Sequence, residues 1–124
     1  MNAKSELEAS LSQAIIRFEK EFMGRGPVET RTYLIGDMVL VRLKKVLTPA
    51  EMKLAEANDP QRGRYLVKQT RQELIERGRP LLNAIILDVF GVECVSLHTD
   101  ISTKTGERII VFTLASAPNV QENA

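Results

Sequence analysis

Along residues 5–23 the apolar positions Leu7, Leu11, Ala14, Ile15, Phe18 and Phe22 recur every three or four residues, which draws one apolar stripe on a helix. Ser5 with Glu8 reads as a capping box at its start, and Gly24 stops it. Two strands follow at 30–35 and 38–46, and the Gly36-Asp37 pair between them is a tight hairpin turn. In that hairpin Leu34, Val39, Val41 and Leu43 fall on one face. Arg31, Tyr33, Ile35, Met38, Leu40, Arg42 and Lys44 fall on the other.

Thr48-Pro49-Ala50-Glu51 is a second capping box with proline at the first helical position, so a short helix is expected to about residue 57. Beyond Asn58-Asp59-Pro60, the series Val67, Thr70, Leu74, Gly78, Leu81, Ile85, Val89 keeps helical phase through Pro80. That continuity predicts one long helix, kinked near residues 78–80 and ending at Gly91. Residues 92–102 and 108–115 alternate in the strand manner around a polar turn at 103–107. Val95, Leu97, Thr99 and Ile101 are placed on one face of the first of these strands, and Ser96, His98 and Asp100 on the other.

The element order is thus α-β-β-α-α-β-β. Two hairpins and two main helices predict an α+β fold, an antiparallel sheet with helices packed on one face. Residues 1–116 read as a single domain and 117–124 as a flexible polar tail; 124 residues suffice for one hydrophobic core.

The outer face of that sheet carries the most informative conflict in the chain. The hairpin register expected from the Gly36-Asp37 turn sets Arg31 opposite Arg42, and like charges directly opposed destabilise a strand pair. An anion, a carboxylate or another subunit would relieve it. Two guanidinium groups side by side suit a bidentate oxyanion such as bicarbonate or a phosphate-bearing metabolite. Beside them Tyr33, Ile35, Met38 and Leu40 form an apolar patch that is costly to leave in water, which points to a homodimer or a docked partner.

Other candidates add less. Gly24-Arg25-Gly26-Pro27 is either a plain helix stop or a turn whose Arg25 joins an anion site; it lacks the pattern of a P-loop. His98 and Asp100 share a strand face with Ser96, yet alternate residues on one strand lie about 7 Å apart, too far for a catalytic triad. Asp100 is instead expected to neutralise Arg31 or Arg42, with His98 sensing pH or lining a pocket. The turn 102–108 is a second candidate contact surface. One histidine and one cysteine, Cys94, exclude a typical zinc site within one chain, and Cys94 is expected to be a buried packing residue. No catalytic residue, metal or cofactor is expected.

A formal net charge of +1 offers no global attraction to nucleic acid, and the basic run Arg64, Lys68, Arg71 is interrupted by Glu73 and Glu76, so it reads as a solvated helix face. No apolar run reaches the roughly 18 to 20 residues of a membrane span, and the polar N-terminus lacks a signal core, so a cytoplasmic protein without membrane insertion is expected.

The blocks MGRGPVETRTYLIGDMVLVRLKKVLTPAE and VSLHTDISTKTGERIIVF resemble the MpsC-like family, formerly a domain of unknown function. Its members are assigned to a sodium-translocating, membrane-potential-generating system. The resemblance implies transport or inorganic-carbon uptake partners and an accessory or regulatory role. It supplies no catalytic residues to carry over.

Overall fold

The computed structural model describes residues 3–120. Its order is α1 (Ala3–Phe22), β1 (Glu29–Ile35), β2 (Met38–Lys44), α2 (Pro49–Ala55), α3 (Pro60–Phe90), β3 (Cys94–Ile101) and β4 (Arg108–Leu114). The four strands form one antiparallel sheet in the order β1-β2-β4-β3, so the two hairpins join along β2 and β4. This is the α+β class and element order that the hydrophobic pattern predicts.

Local chemistry explains most boundaries. Thr48 and Glu51 make the expected reciprocal capping box at α2, with Pro49 at the first turn. Asp59 caps α3 by accepting from the Arg62 N–H, and Gly91 ends it in the left-handed conformation at φ 70°. Helix α3 runs unbroken through Pro80. The start of α1 differs: the chain is already helical at Ala3, the first described residue, ahead of Ser5. Glu8 reaches the sheet instead, accepting from the Leu34 backbone N–H at 2.7 Å. With β1 at the sheet edge, that carboxylate satisfies a donor no neighbouring strand can reach.

The core lies between the sheet and the helices. Leu34, Val39, Val41 and Leu43 are buried, as are Ile110, Phe112 and Leu114 from β4, against Leu11, Ile15 and Phe18 of α1 and Ile75, Leu82 and Ile86 of α3. In α3 the buried stripe is Gly63, Val67, Arg71, Ile75, Gly78, Leu82, Ile86 and Phe90, not the Leu74, Leu81, Ile85, Val89 line; Leu81 is 47% exposed. The true stripe contains two glycines and an arginine, so its hydrophobic signal is the weaker of the two. Gly63 brings α3 against α2 and Gly78 admits the Phe18 ring of α1.

Strand β3 carries a bulge between Cys94 and Ser96, which throws Val95 out to 62% exposure and off the face of Leu97. Cys94 packs against the core, its thiol donating to the Ser96 carbonyl; burial pushes that thiol up. At the C-terminus Pro118 is buried and Val120 packs on the core. The part of the expected tail at 121–124 lies outside the described residues.

Replacing Gly63 with alanine would drive a Cβ into the Leu54 carbonyl oxygen, a backbone atom that cannot step aside. Urea unfolding should show a loss of about 2 kcal/mol for Gly63→Ala. Wild-type stability in that variant would mean that α2 is not seated on α3 as described.

Candidate functional site

Because strand side chains alternate, the residues not used in the core form an ordered outer face. The register sets them in rows across all four strands: Ile35, Met38, Thr113, Ser96; then Tyr33, Leu40, Val111, His98; then Arg31, Arg42, Ile109, Asp100. Among the described residues no helix covers this face; α1 and α3 pack on the other one, with α2 seated on α3. Tyr33 is 42% and Ile35 54% exposed, while Met38 and Leu40 are half-buried by their neighbours.

The structure brings Arg31 and Arg42 opposite each other, as the turn predicts. Each already holds a carboxylate. Arg31 Nε lies 3.3 Å from Glu29, Arg42 pairs with Glu107, and Lys44 also meets Glu29 at 3.2 Å. Hydrogen bonds from Lys44 and Arg31 hold the Glu29 carboxyl below its ordinary range, and Glu107 likewise raises Arg42.

His98 and Asp100 share the face but sit on β3, with β4 between them and Arg42, so about 10 Å of strand spacing separates Asp100 from Arg42. Asp100 pairs with Lys68 of α3 at 3.1 Å. The Ile101 N–H, followed by Lys68, keeps its carboxyl low. His98 is exposed in a shallow depression with Ile109 and Val111. Arg25 lies elsewhere, donating from Nη1 to the Leu47 carbonyl between β2 and α2.

A second feature escaped the sequence reading. Glu19, Arg71 and Arg108 are each at most 2% exposed. Arg71, expected on a solvated face, grips Glu51 with Nε at 2.8 Å and Nη2 at 2.6 Å, and the same Nη2 donates to the Val46 carbonyl. Arg108 donates to Thr99 Oγ1. Burial raises the Glu19 carboxyl against the pull of Arg108 and Arg71, and burial lowers Arg108 despite Glu19. Burial alone would also raise Glu51, but hydrogen bonds from Arg71 and Thr48 outweigh it and hold that carboxyl low.

These positions were legible from phase alone. Arg108 continues the inward alternation of Ile110, Phe112 and Leu114; Glu19 follows Leu11 and Ile15 at steps of four; Arg71 lies between Val67 and Ile75 at the same step.

Residues 3–116 match the family described as "Na+-translocating membrane potential-generating system (MpsC)". The chain is 41% identical over 114 residues to "Uncharacterized protein YbcI" of Bacillus subtilis (strain 168), covering 92% of this chain and 90% of that one. No solved structure matches. Among the described residues no helix is long and apolar enough to cross a membrane, and no group of histidine, cysteine, aspartate and glutamate could hold a metal ion.

The Arg71–Glu51 pair yields a test with a definite sign. Glu51 titrates below its ordinary value of 4.5 when folded, so its contribution is present above that pH and is lost as pH falls through the folded value. Glu51→Gln leaves a buried guanidinium without its counter-charge. Denaturant unfolding at neutral pH should show a loss of about 3 kcal/mol. Stability of the variant should also fall less steeply than wild type on acidification below 4.5. Equal acid sensitivity in the two proteins would remove Glu51 from the account.

Proposed function

Since the chain belongs to the MpsC family, we propose that it is a non-enzymatic accessory or regulatory component of that family's sodium-linked system, and that it works as a dimer joined sheet to sheet. The observation that carries this reading is the uncovered outer face. Its rows are apolar in the middle and oppositely charged at two corners.

A two-fold axis lying along the strands reverses each row across the interface. Arg31 then meets Asp100 of a second copy, Tyr33 meets His98, and Leu40 meets Val111. In that arrangement Arg31 and Asp100 exchange their exposed partners within the chain, Glu29 and Lys68, for each other. Four strands of seven or eight residues present about 450 Å² in projection, from a rise of about 3.4 Å per residue and a spacing of about 4.8 Å. An area of that size is at the weak end of specific interfaces, so the dimer is reversible. The expected anion seat has less support, because Arg31 and Arg42 each hold a carboxylate within the chain.

Sedimentation across about 1 to 100 µM should reveal a concentration-dependent dimer. Met38→Glu, with a half-buried side chain on the outer face, should give a monomer with an unchanged far-UV spectrum. Arg31→Asp and Asp100→Arg should each weaken association, and the double variant should restore it. A monomer throughout the range contradicts the reading, and so does a dimer indifferent to the charge swap. A monomer that instead binds a membrane transporter through the Met38 face would give this surface to a different protein.

A further inference from the structure

Where the sheet meets the linkers, the chain builds a second surface that is independent of the outer face. A cleft of about 250 Å³ opens between the 24–27 linker, the segment after β2 and the β3–β4 turn. Arg25, Lys45 and Thr105 supply its polar lining, and Leu47, Pro49 and Met52 its apolar wall. No carboxylate lines it. An adjoining cleft shares Lys45 and Thr105 but contains Glu29 and Glu107 beside Arg42 and Lys44. The contrast matters, because those two cations are already neutralised, whereas among the described residues neither Arg25 nor Lys45 has a carboxylate within 4.0 Å.

Lys45 is also the one non-glycine residue with positive φ among the described residues, at 57°. Glycine adopts that conformation without strain and lysine rarely does. The backbone is held on both sides of Lys45: the Lys44 carbonyl accepts from the Val28 N–H at 2.9 Å, while the Val46 N–H donates to the Gly106 carbonyl at 2.9 Å and the Val46 carbonyl accepts from buried Arg71. Strain fixed by its surroundings at a cleft wall marks a position where the side chain has a task. Here it places Lys45 in the lining of the same cleft as Arg25. Arg25 is itself aimed by its hydrogen bond to the Leu47 carbonyl, which leaves its remaining N–H groups free to donate. The Thr105 oxygen accepts from the Glu107 N–H, leaving its O–H as a third donor.

We propose that this cleft binds a small oxyanion, a phosphate or carboxylate on a compact apolar body, between Arg25, Lys45 and Thr105, with the body against Leu47, Pro49 and Met52. Its volume is below the roughly 300 to 1,000 Å³ of pockets for drug-sized ligands, which suits a compact ligand. Three donors around an apolar wall favour an anion carrying carbon over a bare inorganic ion.

Amide chemical shifts should be followed while the full chain is titrated, at matched ionic strength, with inorganic phosphate, phenyl phosphate and benzoate. The expected result is saturable shifts at Arg25, Val46 and Gly106, with phenyl phosphate or benzoate binding more tightly than inorganic phosphate; which of the two is tighter identifies the head group. Lys45→Gly is the decisive variant, because it removes the whole side chain, ammonium included, while glycine suits the left-handed backbone. It should melt no lower than wild type and bind about tenfold more weakly, the effect of one lost charge-assisted hydrogen bond. Arg25→Gln should weaken binding similarly. The inference is overturned if no probe saturates, if Lys45→Gly binds as tightly as wild type, or if the shifts centre on Arg31 and Arg42.

Discussion

Helices α1 and α3 pack against a single face of the sheet, with α2 seated on α3, and this one-sidedness governs nearly everything else in the molecule. Each strand alternates, so filling one face with Leu34, Val39, Val41, Leu43, Ile110, Phe112 and Leu114 commits the intervening residues to the other. A soluble sheet of this kind ordinarily turns polar side chains outward. This one turns Tyr33, Ile35, Met38, Leu40, Ile109 and Val111 outward instead, framed by charges whose signs are opposite at the two corners of one row. The same alternation that builds the core therefore defines the surface through which the protein is proposed to work.

The interior contains its own departure from a simple apolar core. Arg71 joins α3 to the first turn of α2 and to the segment after β2, while Arg108 and Glu19 bring a cation from the sheet and a carboxylate from α1 into the same region. Buried ions of this sort cost desolvation that their mutual attraction only partly offsets, so they are weak evidence for added stability. What Arg71 contributes is position. It fixes the Val46 carbonyl, and with it the unusual backbone of Lys45 and the cleft in front of it. A buried charge in the core and an exposed cation at the loop end are thus linked through a single residue of backbone.

Much of this was legible in the amino-acid sequence, and the limits have physical causes. The hairpin register followed from a two-residue turn, the cap of α2 from Thr48 and Glu51, and the continuity of α3 from phase kept across Pro80. Strand order was not legible, because pairing β2 with β4 joins segments far apart in the chain. Val67 and Gly78 of the expected α3 series are buried, but the rest of the stripe was assigned about one residue away, since Leu74 and Leu81 advertise themselves more strongly than Gly63 and Arg71. Tyr33, Ile35, Met38 and Leu40 were placed correctly on the outer face of the sheet. The grouping of Arg31 and Arg42 with His98, Asp100 and Arg25 was not reproduced, because β4 intervenes in one case and the whole loop end in the other. Lys45 gave no signal, since nothing in its neighbours demands a left-handed turn until Gly106 is packed against it.

The account stands or falls on what covers the outer sheet. An isotope-filtered nuclear Overhauser experiment on a mixture of labelled and unlabelled chains reports only contacts between copies. The proposed two-fold arrangement requires cross-copy contacts between the methyl groups of Leu40 and Val111 and between the rings of Tyr33 and His98. Cross-copy contacts confined to helix residues such as Leu81 and Leu87, or none at concentrations where a dimer sediments, would contradict it.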